Sequence, residues 1–421
     1  MDKYIIAGGR PLEGNVEISG MKNAALPIVI ASILIKGKCI IENVPSINDV
    51  KKALTIITEM GASVNEIAPN CIEIDSKDVI GGNSPYDLVT KMRGSSYLIG
   101  AELARFGKAK VAYPGGCDFG KRPIDQHIKG FEALGATVSV DEKNGYIYAD
   151  APNGLHGNSI YFDVVSVGAT INVMIAAVMA KGKTVIENAA REPHIVDLAN
   201  FFNTCGAKIS GAGTSVIKIT GVDKLSSCSY AIIPDMIEAG TFMAAVAAAG
   251  GKVNIKGIIP KHMESVTAKL KEMGVKTDEY DDYITVEKIK PNKKIAIKTL
   301  PYPGFPTDMH PQFTSVLCTA HGESTVSEGV WENRFRYVEE LRKMGADITV
   351  NGSTAKIKGV DALHGATVKA VDLRAGAALI IAGLAAEGMT EITEIGSIER
   401  GYDNIVGKLC AIGADIKKVS E

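Results

Sequence analysis

Arg334-Phe335-Arg336-Tyr337-Val338-Glu339-Glu340-Leu341-Arg342-Lys343-Met344-Gly345-Ala346-Asp347-Ile348-Thr349-Val350 decides how this chain is read. Val338, Leu341 and Met344 recur at helical spacing, which predicts an amphipathic helix over Arg334 to Met344. Gly345 supplies the left-handed conformation that ends such a helix. Ile348 to Val350 follows as a β-type run. The pattern recurs along the whole chain. Gly61, Gly135, Gly206, Gly274, Gly345 and Gly413 each close an amphipathic stretch. The stretches are Asp49 to Met60, Asp125 to Leu134, His194 to Cys205, His262 to Met273, Arg334 to Met344 and Tyr402 to Ile412. Their spacing of about 70 residues is longer than the usual solenoid periods.

Earlier in each repeat lies a more apolar helix, starting near Ala24, Ser95, Ala169, Ala239, Gln312 and Ala375. These segments are rich in Ala, Ile and Leu on nearly every face, so they are expected to be buried. A short strand follows each of them: Lys38 to Glu42, Lys108 to Ala112, Lys183 to Glu187, Lys252 to Lys256, Ser324 to Glu328, and Thr390 to Thr393. Each repeat thus reads β-α-β-α-β, and the chain is α/β. Six repeats predict two domains of three, with the seam near Cys228 to Pro234. The boundaries are 22–230 for the first domain and 1–21 plus 231–421 for the second. The N-terminal residues are assigned to the second because the sixth repeat ends without its last strands.

At 421 residues the chain is too long for one ordinary core. A net charge of −2 argues against a nucleic-acid partner. The best apolar run, Ala24 to Ile35, is too short to span a bilayer, so no membrane partner is expected. The seven cysteines are scattered, with no CxxC pair and no zinc-ligand spacing. A reducing, cytoplasmic location and no bound metal follow as expectations. Cys39, Cys71, Cys205, Cys318 and Cys410 read as small core residues.

Two features carry chemistry. Pro114-Gly115-Gly116-Cys117-Asp118-Phe119-Gly120-Lys121-Arg122-Pro123 reads as a mobile, glycine-rich loop with a thiol beside two cations. Such charge favours the reactive thiolate, although a surface turn with an incidental cysteine is an equal reading of the loop by itself. The second feature is the polar start of each buried helix: Met21-Lys22-Asn23, Met92-Arg93-Gly94-Ser95-Ser96, Ser166-Val167-Gly168, Asp235, Asp308 and Asp372-Leu373-Arg374. Ser166, Asp235 and Asp308, taken singly, fit N-caps. Lys22 and Arg374 oppose the helix dipole there, which points to an anionic ligand. No P-loop and no dinucleotide fingerprint is present.

Taken in order, these blocks resemble the enolpyruvyl transferases. The resemblance is carried by Gly20 to Pro27, the Pro114 to Pro123 loop, Ser166 to Thr170, and Ile186 to Pro193. It continues through Pro301 to Asp308, Glu332 to Phe335, Asp372 to Gly376, and Glu399 to Tyr402. It implies two inside-out α/β barrel-like domains with a cleft between them. It also implies transfer of enolpyruvyl from phosphoenolpyruvate to the 3′-hydroxyl of UDP-N-acetylglucosamine, with loss of phosphate through a tetrahedral ketal. This would be the first committed step of peptidoglycan synthesis, and so a step in cell-wall biogenesis, cell shape and cell division. No cofactor is implied.

The same resemblance assigns roles. Asp308 is the base at the sugar hydroxyl. Cys117 is the acid at the methylene carbon and the target of fosfomycin. Lys22 and Arg122 hold phosphate, and Arg374 and Arg400 hold carboxylate. Arg93 serves the sugar-nucleotide pocket, with Asn23, Pro123, Asp125, His127, Ser166, Val167, Gly168 and Val330 also placed against substrate. Val164 stands where a lysine is common near the diphosphate, and His310 where glutamine is usual. His310 is read as a neutral replacement. Two alternatives remain: 3-phosphoshikimate 1-carboxyvinyltransferase, which lacks the Pro-Gly-Gly-Cys loop, and a non-catalytic UDP-sugar-binding paralogue.

Overall fold

Each of the six pattern-closing glycines adopts a positive φ, between 90 and 108°. A side chain there would strain the backbone, so glycine is required by conformation. The computed structural model describes residues 2–82, 84–113 and 124–420. Cys117, Arg122 and Pro123 therefore lie outside the described residues, as does the loop reading given to Pro114–Pro123.

The six apolar helices are Lys22–Ala31, Tyr97–Phe106, Val167–Ala177, Met236–Ala249, His310–Leu317 and Leu373–Ala385. Nearly every residue of Met236–Ala249 and of Leu373–Ala385 is buried. Each fully buried Leu, Ile or Met there is worth about 1.5–3 kcal/mol, so these helices hold their units together. The second set comprises Asn48–Glu59, Asp125–Ala133, Pro193–Thr204, Glu264–Met273, Val338–Lys343 and Ile405–Ala411. The fifth is shorter than its pattern. Residues 332–337 form turns, with Asn333 left-handed at φ 53°, so the helix begins at Val338 rather than Arg334.

Among the described residues the strands form five four-stranded sheets and one three-stranded sheet, one per repeat. In the third, fifth and sixth repeats the buried helix is the crossover between two parallel strands, as from Ser159–Tyr161 to Lys183–Glu187. Antiparallel strands complete each sheet.

The chain divides into two compact units, residues 20–233 and residues 1–19 with 234–421. In the second unit, strand Lys3–Ala7 lies between Met389–Thr393 and Asp415–Val419, antiparallel to both. It supplies the strand that the sixth repeat lacks. Two further strands are exchanged. Leu12–Glu17 precedes the helix Lys22–Ala31 in sequence but pairs in parallel with Gly251–Lys256. Ser229–Ala231 precedes the helix Met236–Ala249 but pairs in parallel with Lys38–Glu42.

Each change of unit is fixed by a buried carboxylate. Glu238 accepts from Ser19 N–H at 2.8 Å and pairs with Lys408 at 2.6 Å. Asp197 accepts from the Tyr230 hydroxyl at 2.5 Å and from Ile233 N–H at 3.4 Å. No helix among the described residues is long and apolar enough to cross a membrane.

Candidate active site

In the unit formed by 1–19 and 234–421, the helix starts separate into two kinds. Asp235 caps its helix through Ile237 and Glu238 N–H, at 2.8 and 3.2 Å. Asp372 caps its helix through Arg374 and Ala375 N–H, at 2.8 and 2.9 Å. Asp308 does not cap. It sits on the 3-10 turn Thr307–Met309, and its carboxylate is held by two guanidinium groups. Oδ1 accepts from Arg334 Nη2 at 2.9 Å, and Oδ2 accepts from Arg374 Nε and Nη2 at 3.2 and 3.0 Å.

Both arginines are 4% exposed. Burial alone would push the Asp308 carboxyl up, but Arg374 and Arg334 outweigh it and hold the group well below the usual carboxylate range. Arg374 lies over the Tyr402 ring, 5.5 Å from its centroid. Its Nη1 is buried without a hydrogen-bond partner. An unsatisfied, charged donor of this kind is costly and suits an arriving anion. Arg400 is half-buried in the turn after Ile395–Ser397.

His310 is fully buried behind this cluster. Its Nδ1 is 3.2 Å from the Tyr337 hydroxyl, and its Nε2 is 3.4 Å from Glu328 Oε2. Burial, then the charge of Arg334, pulls its pKa well below the ordinary value, so the ring is neutral. Glu328 also accepts from Thr307 Oγ1 at 2.9 Å and from the N–H groups of Val330 and Trp331 at 2.8 and 2.9 Å. It thereby fixes the turn ahead of Asp308 and the backbone at the exposed Val330.

In unit 20–233, Lys22 opens its helix without a side-chain cap. Its ammonium is 2.8 Å from Asp49, which is 2% exposed. The charge that opposes the helix dipole is therefore balanced by a buried carboxylate, and that of Arg374 by the half-buried carboxylate of Asp308. The dipole argument alone does not single out either cation as a ligand. Asn23 is half-buried beside Lys22, and the Arg93 turn packs on the same helix, since a Cβ at Gly94 would stand 3.1 Å from Leu26 Cδ1. Arg93 is half-buried, and burial lowers its pKa.

His127 lies on Asp125–Ala133 and is 5% exposed. Burial, and then the positive charge of Arg93, pulls its pKa down to about 4. Asn172 Oδ1 accepts from Gly100 N–H at 2.9 Å, which orients the amide. Its Nδ2 then faces Ser96 O at 2.7 Å and His127 Nδ1 at 3.0 Å. Nδ1 is thus the acceptor, and the proton sits on Nε2. That nitrogen faces Gly168, where a Cβ would stand only 3.0 Å away. Ser166 caps the helix Val167–Ala177 through Ala169 N–H at 3.2 Å. Asp125 and Val164 are exposed.

The structure therefore gathers Asp308 with Arg374, and Arg93 with His127 and Gly168. Arg334, Asp49 and Asn172 were not assigned roles by sequence reasoning. Arg334 had a signal, the Glu332-Asn333-Arg334-Phe335 block, whereas a pattern for Asp49 or Asn172 is absent. Cys410 corrects an expectation: it is exposed rather than in the core, and Cys71 is half-buried.

The chain matches the family described as EPSP synthase (3-phosphoshikimate 1-carboxyvinyltransferase) over residues 6–409. It belongs to this family of enolpyruvyl transferases. Among its relatives, UDP-N-acetylglucosamine 1-carboxyvinyltransferase 2 of Clostridium acetobutylicum is 55% identical over 99% of both chains. UDP-N-acetylglucosamine 1-carboxyvinyltransferase 3 of Caldanaerobacter subterraneus subsp. tengcongensis is 54% identical over the full length of both. The crystal structure of the enolpyruvyl transferase NikO from Streptomyces tendae superposes with a TM-score of 0.90 at 25% identity, covering 100% of this chain and 99% of that one. EPSP synthase from Acinetobacter baumannii shares the fold, with a TM-score of 0.77 at 16% identity over the full length of both chains.

Proposed function

We propose that this enolpyruvyl transferase moves the enolpyruvyl group of phosphoenolpyruvate to the 3′-hydroxyl of UDP-N-acetylglucosamine, releasing phosphate. Identity of 54–55% along the whole chain to relatives that bear this activity in their names carries the reading. The likeness to EPSP synthase in structure is at 16% identity and speaks only for the fold. On this reading each unit is an inside-out α/β barrel of three repeats. Apolar helices buried among sheets with one exposed face support that description.

Addition followed by elimination needs a base at the sugar hydroxyl, an acid at the methylene carbon, and cations for phosphate and carboxylate. Asp308 is the base and Cys117 the acid. Lys22 and Arg122 take the phosphate, and Arg374 and Arg400 the carboxylate. Arg93, with Asn23, Pro123, Asp125, His127, Ser166, Val167, Gly168 and Val330, serves the sugar nucleotide. The unpartnered Nη1 of Arg374 supports its assignment, because a planar guanidinium binds two carboxylate oxygens at once.

Asp308 clamped by two arginines is a weak base. A substrate carboxylate arriving at Arg374 competes with Asp308 for that guanidinium. Losing part of its ion pair raises the basicity of Asp308, so the donor's arrival readies the base that the acceptor needs. No step uses a cofactor.

The test is phosphate release from phosphoenolpyruvate, with UDP-N-acetylglucosamine or shikimate 3-phosphate as acceptor. Release with the sugar nucleotide alone is expected. Release only with shikimate 3-phosphate overturns the acceptor assignment. Silence with both, in folded protein that still binds UDP-N-acetylglucosamine, leaves a binding protein in place of an enzyme.

A further inference from the structure

Three cysteines far apart in sequence meet inside unit 20–233. Cys39 is on strand Lys38–Glu42, Cys205 follows the helix Pro193–Thr204, and Cys228 precedes strand Ser229–Ala231. The Cys205 and Cys228 sulfurs are 3.0 Å apart, those of Cys228 and Cys39 4.0 Å, and all three lie within 4.8 Å of one another. Among the described residues this is the only group of three or more potential metal ligands at such range. We propose that Cys39, Cys205 and Cys228 form a binding site for a soft divalent cation of the zinc class, with one solvent ligand completing its shell.

Backbone bonds fix the three positions independently of the sulfurs. Ile40 N–H donates to Cys228 O at 2.9 Å, and Ser226 N–H donates to Cys205 O at 2.8 Å. Strand Ser229–Ala231 pairs in register with Ile40–Glu42. The sulfurs therefore converge because the sheet and the helix end converge.

An ion about 2.3 Å from each thiolate needs sulfurs about 3.8 to 4.0 Å apart. The Cys228–Cys39 distance already meets this. The Cys205–Cys228 pair must widen by about 1 Å, and Cys39 and Cys205 lie within 4.8 Å of one another, adjustments that side-chain rotation supplies. An all-sulfur donor set selects soft cations and disfavours magnesium or calcium.

Cys39 and Cys205 are buried, at 1% and 0% exposure, and Cys228 is half-buried, which gives the ion and its solvent ligand a way in. A divalent ion bound there displaces the thiol protons, so binding is expected to be pH-dependent. The site lies where the chain is about to change units at Pro234, so an ion would fasten that connection to the end of a helix and to a central strand. The proposal uses none of the residues assigned to catalysis.

The full-length protein, fully reduced and stripped of metal, is titrated with cadmium, whose thiolate complexes absorb in the near ultraviolet. One saturating equivalent with a charge-transfer band is expected, displaced by zinc. Zinc alone should raise the melting temperature. In Cys228→Ser, at a half-buried position, affinity should fall by at least about tenfold and the zinc-induced rise should vanish. Cys410→Ser and Cys117→Ser should keep both. Circular dichroism of each variant matching the parent secures the comparison. The proposal is overturned if no saturable band forms, if the band survives Cys228→Ser, or if the reduced chain exposed to air, with dioxygen as oxidant, passes directly to a Cys205–Cys228 disulfide, lighter by two hydrogens, whether or not cadmium is present.

Discussion

Asp235, Asp308 and Asp372 stand at the same point of three successive repeats, ahead of a buried helix, yet they do different work. Asp235 and Asp372 satisfy the free N–H groups of their helices. Asp308 leaves that task undone, and its carboxylate faces Arg334 and Arg374 instead. The helix it precedes has Pro311 in its first turn, a residue with no N–H to satisfy and a φ already suited to a helix. The fifth repeat can therefore release its aspartate from capping at little structural cost. Repetition supplies the position, and a single proline relieves it of capping.

The comparison breaks most sharply at Asp308→Asn. Turnover in the phosphate-release assay should fall by about 100- to 10,000-fold, the usual range for a lost general base. The KM for phosphoenolpyruvate should stay level or fall, because Arg374 no longer divides itself between Asp308 and substrate. Turnover within threefold of the parent, with stability alone reduced, would place Asp308 among the structural aspartates.

His127 extends the comparison to a helix start in the other unit. The unfolded chain protonates a histidine below pH about 6.5, but folded His127 only below about 4. Its contribution is complete above pH 6.5 and is lost as pH falls through that window, amounting to about 3 kcal/mol. Glu238 acts in the opposite sense, since burial pushes its pKa up to about 7 and the folded protein takes up that proton first. The readout is therefore a difference. Urea unfolding of His127→Gln should be less acid-sensitive than that of the parent between pH 6.5 and 4. Equal slopes would mean that the buried ring does not titrate as described.

Asp235→Ala should cost about 1–2 kcal/mol in urea unfolding, with turnover per folded molecule within a few-fold of the parent. A collapse of turnover there would erase the contrast with Asp308. The smallest effect is expected at Ser166→Ala. One cap bond of 3.2 Å on a half-buried residue is worth about 0.5–1 kcal/mol. An accompanying rise in the KM for the sugar nucleotide would show that Ser166 serves substrate as well as helix, while an unchanged KM would leave it a cap.

Much of the architecture was legible because helix-ending glycines and apolar spacing are local signals. The strand Lys183–Glu187 and the helix Val167–Ala177 fall within two residues of where pattern put them. Local signals fail where partners come from elsewhere. The helix expected from Arg334 starts at Val338, because the backbone ahead of it turns and Arg334 is ion-paired with Asp308, 26 residues earlier. Lys22 looked like an unbalanced cation because nothing in its neighbourhood announces Asp49. The cysteine trio escaped notice because metal-ligand spacing is a test of sequence proximity, and these residues meet only after Ser229–Ala231 pairs with Lys38–Glu42. Asn172, which fixes the tautomer of His127, sits unmarked in an apolar helix.

The strand exchange also sets an order of events during synthesis. Residues 20–233 form a contiguous unit that is complete once they have emerged. Among the described residues, strand Lys3–Ala7 pairs with Met389–Thr393 and Asp415–Val419, which are made long after it. At about 5 to 20 residues per second it waits on the order of 20 to 80 seconds for its neighbours. Through that interval Tyr4 and Ile6, both buried in the finished protein, remain without their sheet. The unit that carries Asp308 is thus closed by a segment translated well before the strands that seat it.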